Sequence, residues 1–314
     1  MSFLELKALS FKRGSAKILQ DFNCSFAYGE TTALLGANGS GKTTLLHLIS
    51  GYHRFEQGEM WRKNQQVAFP GSFAKPSFRA ELGMVFQEPS LDGSLSAIAN
   101  LRLSGRVHGI DSEILEKKIL NSLEWADLSE RKNEATKKFS GGMKKKLEIM
   151  RAMLHDPSLL LFDEATSGLD YFSCQKFWEC LENKKAQGSA VIMVTHRLDE
   201  IEKCDRVVML YGGKVVGQGT PSELLKNAGG DRISIQLKGD VEQINKLGIS
   251  SWANVMRYQA HHDGDVHIIA KSGSEIASRI SGLLPANVIR SITVRPPTVA
   301  DAYHSFTGVD LERL

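Results

Sequence analysis

Residues 36–44 read Gly36-Ala37-Asn38-Gly39-Ser40-Gly41-Lys42-Thr43-Thr44, and the rest of the chain is best understood outward from them. Before them stands Thr31-Thr32-Ala33-Leu34-Leu35, an apolar run with a β-branched start that predicts a buried strand. After them, Leu45, Leu46, Leu48 and Ile49 make one apolar helical face that ends near Gly51. Strand, glycine loop and helix are the context in which the pattern G-x-x-x-x-G-K-[ST] cradles phosphate. Gly36, Gly39 and Gly41 allow turns that a Cβ would obstruct, so successive N–H groups curl around phosphate oxygens. The helix start adds its positive dipole end. In that cradle Lys42 would reach the β- and γ-phosphates, Thr43 would ligate Mg²⁺ and Thr44 would donate to the α-phosphate. At average residue usage the pattern arises by chance in roughly one chain in a hundred of this length, and less often with both flanking elements.

Composition narrows the remaining classes. The 314 residues suffice for two domains, and 42% hydrophobic with 24% charged residues is an ordinary globular balance. A net charge of +3, from 39 Lys+Arg against 36 Asp+Glu, gives no support to a dedicated nucleic-acid binder. Cys24, Cys174, Cys180 and Cys204 lack metal-ligand spacing and read as reduced structural thiols, which points to the cytosol. Met1–Lys7 lacks the apolar core of a signal peptide, and no apolar run approaches the length of a membrane span.

Taken in order, residues 2–11 and 22–35 predict strands around a turn at Arg13-Gly14-Ser15. Residues 54–80 are polar and irregular, with room for short antiparallel strands, and Leu82–Phe86 predicts a strand that stops at Gln87-Glu88-Pro89. From about 94 to 136 the pattern is helical. Met143, Leu147, Met150 and Leu154 then mark a helix opened by Ser140-Gly141-Gly142 and ended at Asp156-Pro157. Leu159–Phe162 and Ala190–Val194 are apolar on both faces, as central parallel strands are, with a helix over 171–187 between them. The alternation implies a largely parallel α/β sheet. Near Ala228-Gly229-Gly230 the register changes, and the order βαββαβ that follows fits a small ferredoxin-like α+β domain with a last helix over 298–307.

Two further pieces carry chemistry. Asp163-Glu164 closes the strand Leu159–Phe162 where a nucleotide's γ-phosphate should lie, so the aspartate is placed to hold Mg²⁺ and the glutamate to polarise water. A solvated acidic turn is the bland alternative. The other piece is Phe139-Ser140-Gly141-Gly142-Met143, which on its own is also consistent with a plain serine N-cap.

With these residues the chain resembles the ATP-binding subunits of ABC transporters. Gly36–Thr44 is similar to their Walker A loop, and Leu159–Glu164 to Walker B with its catalytic glutamate. Gln87 matches the Q-loop, Ser140-Gly141-Gly142 the signature, Ser167-Gly168-Leu169-Asp170 the D-loop and His196 the switch histidine. All six stand in family order over residues 1–226. The resemblance implies an ABC-ATPase fold of the P-loop class over 1–228, with a helical subdomain at about 88–156 and an accessory domain over 229–314. It implies ATP and Mg²⁺ as ligands, with Thr43, Gln87 and Asp163 around the metal. Gly36, Asn38, Gly39, Ser40, Gly41, Lys42, Thr43 and Thr44 would hold ATP, and Glu164, His196, Lys42 and Gln87 would serve catalysis. It further implies a homodimer or heterodimer with two ATPs in the interface, each between one copy's Walker A and the other's signature. A separate transmembrane permease would hold the cytoplasmic dimer on the inner face of the membrane.

The chain departs from the family pattern in two places. Phe139 and Met143 replace the usual Leu and Gln at the edges of the signature; a Met there resembles exporters of drugs, lipids or polysaccharides. Arg13 stands near the usual adenine-stacking aromatic, with Phe11 two residues earlier, and either can stack on a base. Pro297–Gly308 resembles the C-terminal ending of drug-exporter ATPases, with Val299 and Tyr303 in place of Leu and Phe. Lys144-Lys145-Lys146 reads as a solvated face, His261-His262 as surface histidines and the four tryptophans as core or half-buried residues. A soluble ABC ATPase acting on ribosomes or DNA is the alternative, but this chain has neither a second ATP domain nor a heptad array. A small-molecule or nucleotide kinase shares the phosphate loop without needing the signature.

Overall fold

The structure, a computed structural model, describes residues 2–239, 241–261, 263–285 and 287–311. The chain divides into two compact units, Met1–Gln218 and Gly219–Leu314.

In the first unit, β1 (Ser2–Arg13) and β2 (Ala16–Ala27) form a long hairpin, followed by β3 (Thr31–Leu35) and α1 (Lys42–Ile49). A second hairpin, β4 (Gln57–Arg62) and β5 (Gln65–Ala68), precedes the single turn α2 (Pro76–Arg79) and β6 (Leu82–Val85). Helices α3 (Ala97–Val107), α4 (Ser112–Trp125) and α5 (Gly141–Met153) come next, with no named strand among them. The unit finishes with β7 (Leu159–Asp163), α6 (Tyr171–Ala186), β8 (Ala190–Val194), α7 (Leu198–Ile201), β9 (Arg206–Tyr211) and β10 (Lys214–Gly219).

Two sheets result. One is antiparallel in the order β2-β1-β4-β5, and the other runs β10-β9-β3-β8-β7-β6. In the second sheet β3 pairs in parallel with β8 and β9, β7 with β8, and β6 with β7. Every residue of β3, β7 and β8 is buried, which is why their sequences are continuous apolar runs rather than alternating ones. The α1 residues Leu45, Leu46, Leu48 and Ile49 share a core with Leu34, Leu159, Leu161 and Ile192. That packing clamps the loop between β3 and α1 from below. Among the described residues, no helix is long and apolar enough to cross a membrane.

The second unit contains α8 (Pro221–Leu225), β11 (Asp231–Leu237), α9 (Glu242–Asn245), β12 (Val255–Ala260), β13 (Asp265–Ala270), α10 (Gly273–Leu283), β14 (Ile289–Arg295) and α11 (Val299–Thr307). Its sheet, β12-β13-β11-β14, is antiparallel throughout, the ferredoxin-like arrangement of a βαββαβ chain. Ile233, Ile235 and Leu237 alternate onto the buried face with Val266 and Ile268, in one core with Ile280 of α10. The boundary falls at Gln218/Gly219 rather than at 228/229, because α8 and the 3₁₀ turn Lys226–Ala228 pack on α11. Leu224 and Ala228 are buried there. Of the adjacent histidines, His262 lies outside the described residues, and the His261 ring meets that of His267 edge-on at 5.9 Å.

Candidate nucleotide site

Parallel pairing brings three strand ends to one level: Leu34 lies opposite Val194, and Val194 opposite Asp163. Just beyond those ends is a cleft of about 250 Å³ lined by Asn38, Gly39, Gly41, Lys42, Thr43 and Thr44, with Gln87, Glu164 and His196 facing them. It opens where the strands of an α/β sheet deliver their carboxyl ends.

The loop geometry explains its glycines. A Cβ on Gly36 would sit 2.5 Å from the carbonyl oxygen of Leu210 and 2.5 Å from Ser40 Oγ. Gly41 has φ +105° and would meet Leu19 and Ile18. As the residue before α1, Gly41 offers no side-chain cap, so the first amides of the helix stay available to an anion. Lys42 is buried, and its Nζ donates to the carbonyls of Gly36 at 2.7 Å and Ala37 at 3.0 Å. Burial lowers its pKa, against the attraction of Asp163 and Glu164.

Asp163 is 1% exposed, and its Oδ2 has no hydrogen-bond partner. Burial raises its pKa with help from Glu164, opposed by a hydrogen bond from the Thr43 side chain and by Lys42 and Lys145. A buried carboxylate with an open oxygen, beside a threonine hydroxyl and facing a phosphate cradle, suits a hard divalent cation. Among the described residues, no group of three His, Cys, Asp or Glu stands ready for a metal.

Glu164 adopts φ +50°, an uncommon conformation outside glycine, and its N–H donates to Val194 O at 3.0 Å. Its Oε1 lies 3.2 Å from His196 Nε2. The turn that carries His196 is pinned from beneath by Thr195, whose hydroxyl donates to buried Glu200 at 2.6 Å and accepts from Arg197 N–H at 3.1 Å.

The residues of the sequence pattern do not all meet in this cleft. Arg13 and Ile18 line it, whereas Phe11 stacks on His53 at 5.5 Å. Ser140, Gly141 and Gly142 are not among the lining residues. Ser140 caps α5 through Met143 N–H at 3.3 Å, and a Cβ on Gly142 would stand 2.9 Å from Gly168 O. Asp170 caps α6 through Ser173 N–H at 2.9 Å. Arg131 touches both unusual signature residues: its guanidinium lies 5.4 Å from the Phe139 ring, and Nη1 lies 3.3 Å from Met143 Sδ.

The reading of Lys144-Lys145-Lys146 as a solvated face needs correction. Lys145 is 5% exposed, turned inward on the carbonyls of Phe86 and Gln87, and Lys146 pairs with Asp127 at 3.0 Å. The available signal was the three-residue spacing of Lys145, Glu148 and Arg151, which aligns them on one helix face. Nothing local said that this face was covered.

Comparisons with known proteins bear on the family. The family model described as ABC transporter matches residues 19–167. The Nod factor export ATP-binding protein I of Cupriavidus pinatubonensis (strain JMP 134 / LMG 1197) is 32% identical over 240 residues, 76% of this chain and 72% of that protein. The linearmycin resistance ATP-binding protein LnrL of Bacillus subtilis (strain 168) is 29% identical over 309 residues, 96% of this chain and 98% of that protein. A solved dimeric, post-hydrolysis ATP-binding cassette bound to ADP and Pi superposes with a TM-score of 0.63 at 26% identity, covering 69% of this chain and 98% of that one. Likeness of this extent, on a sheet that gathers a phosphate loop and an acidic strand end, leaves one assignment. The chain belongs to the ABC transporter family, as an ATP-hydrolysing, ATP-binding subunit of exporter type.

Proposed function

We propose that two copies of this chain close head to tail on two ATP molecules and that hydrolysis reopens them, driving a separate membrane-spanning permease. The observation that carries this reading is the incompleteness of the cleft. Asn38, Gly39, Gly41–Thr44, Gln87, Glu164 and His196 line it, while the signature residues of the same copy are not among its lining. A second copy's Ser140-Gly141-Gly142 would complete it, with the N-terminal amides of α5 turned to the γ-phosphate. The solved dimeric cassette bound to ADP and Pi supports the pairing of two such chains. Held by the permease, the pair would sit at the cytoplasmic face of the membrane.

Within each site the residues divide the work. The amides of Asn38–Thr44 and the Lys42 ammonium hold the phosphates, and Arg13, rather than Phe11, borders the base. Thr43, Asp163 and Gln87 would hold Mg²⁺, which supplies charge neutralisation on the phosphate oxygens. Glu164 orients the attacking water and accepts its proton, while His196 holds the carboxylate in place and contacts the γ-phosphate. Positioning and electrostatics of this kind carry nearly all phosphoryl-transfer catalysis. The test is Glu164→Gln with ATP and Mg²⁺, followed by phosphate release and sedimentation. ATP binding should persist, turnover should vanish and a dimer should accumulate. Turnover at the wild-type rate, or a variant that stays monomeric with ATP bound, would overturn the proposal.

A further inference from the structure

One face of α5 grips the segment Phe86–Ser90. Lys145 Nζ donates to Phe86 O at 2.9 Å and to Gln87 O at 3.1 Å. One turn on, Glu148 is fully buried, and its Oε1 accepts from the Ser90 N–H and from Ser90 Oγ, the latter at 3.0 Å. One turn further, Arg151 donates from Nη1 to Ser90 O at 2.9 Å and from Nη2 to Ser90 Oγ at 2.5 Å. Residues three apart stack on one helix face, so the three side chains hold both ends of the segment, at Phe86-Gln87 and at Ser90.

The chemistry of Lys145 is unusual for a packing residue. An ammonium that is 5% exposed carries a desolvation cost, and it donates to two neutral backbone carbonyls. A methionine would fill the same space without that cost but would leave two carbonyls, and buried Glu148, without the ammonium. Gln87 lines the nucleotide cleft, and its carbonyl is tied to Lys145. Burial lowers the pKa of the ammonium, against the attraction of buried Glu148 first and then of Asp163 and Glu164.

We propose that Lys145 is a positioning residue: it fixes the backbone at Gln87 so that the Gln87 side chain meets the metal–nucleotide complex, and it joins that segment to the helix headed by Ser140-Gly141-Gly142. The same rod therefore carries the residues offered to the opposite copy's nucleotide and the clamp on this copy's own Gln87. This rests on the cleft being the ATP site with Gln87 facing its metal.

The experiment is a double-mutant cycle in the full chain with Q87A, K145M, Q87A/K145M and the conservative K145R. K145M should lower turnover at saturating ATP about tenfold or more while half-saturation by ATP stays within about twofold, as expected for misplacement rather than lost binding. The Mg²⁺ concentration for half-maximal rate should rise in K145M as it does in Q87A, and K145R should recover most of the loss. Adding K145M to Q87A should cost almost nothing more, because both act through one side chain. Without nucleotide, amides 87–90 should exchange hydrogen faster in K145M than in the wild type. Should K145M not fold, K145Q, which keeps a donor and loses the charge, takes its place in the cycle. Losses that add fully, or a Mg²⁺ dependence unchanged by K145M, would overturn the inference while leaving the site assignment intact. A wild type without Mg²⁺-dependent turnover would remove the site reading and the inference together.

Discussion

His196 Nε2 lies 3.2 Å from Glu164 Oε1, and the two residues come from the ends of adjacent strands, β8 and β7. The contact fixes a carboxylate whose backbone is already in an uncommon conformation at φ +50°. His196→Ala should therefore lower turnover by about 10- to 100-fold, within the range for a lost positioning or acid–base partner, and leave ATP affinity within a few-fold. Steady-state phosphate release and fluorescent-nucleotide titration check the two halves separately.

The glycines of the phosphate loop should respond unequally to an added methyl. In Gly36→Ala the new carbon would press on Leu210 O and Ser40 Oγ at 2.5 Å, and a backbone carbonyl cannot step aside cheaply. Loss of nucleotide binding and about 1–3 kcal/mol of stability are expected. Gly39 has φ +78° but open space around it, so Gly39→Ala should cost only the backbone term, about 1–2 kcal/mol. Denaturant melts with nucleotide titrations rank the two.

Stability should fall in mild acid because of a stacked histidine pair. The rings of His108 and His155 lie 3.6 Å apart and nearly parallel. His155 Nε2 bonds to Leu82 O at 3.0 Å, so this nitrogen carries the proton, and Nδ1 is buried without a partner. Burial, with repulsion from His108, pushes the His155 pKa down to about 4. The unfolded chain, with an ordinary histidine pKa near 6.5, binds the proton more readily. Stability from this group is thus complete above about pH 6.5 and lost progressively as pH falls toward 4. His155→Gln should flatten that slope in melting temperatures taken from pH 7 to 4.5.

The second unit depends on one buried carboxylate. Asp301 is 1% exposed and accepts from Arg232 Nη1 at 3.0 Å, Arg295 Nη1 at 2.6 Å and Thr298 N–H at 2.8 Å. Burial works against its charge, but these donors outweigh it and hold the carboxyl below its usual range. Asp301→Asn should destabilise this unit by about 3–5 kcal/mol, the usual consequence of removing one partner from a buried pair. Urea unfolding resolved by unit, or hydrogen exchange on β11 and β14, would show the loss confined to it.

Much of this protein was legible along the chain. The phosphate loop, the acidic end of β7 and the apolar runs of β3, β7 and β8 announce themselves because backbone freedom, charge and continuous burial are written in consecutive residues. Even the βαββαβ order of the second unit follows from local periodicity. The unit boundary did not, because α8 is assigned by what it packs on, and α11 lies far along the chain. Nor did the true setting of Lys145, whose acceptors at 86 and 87 are some sixty residues away and are backbone atoms that any sequence would supply. A lysine in a run of three looks wet until the segment that covers it is in place. The placement of Arg13 on the cleft and Phe11 on His53 was settled likewise by the fold, since two side chains of one strand differ in use only through what the folded chain sets beside each.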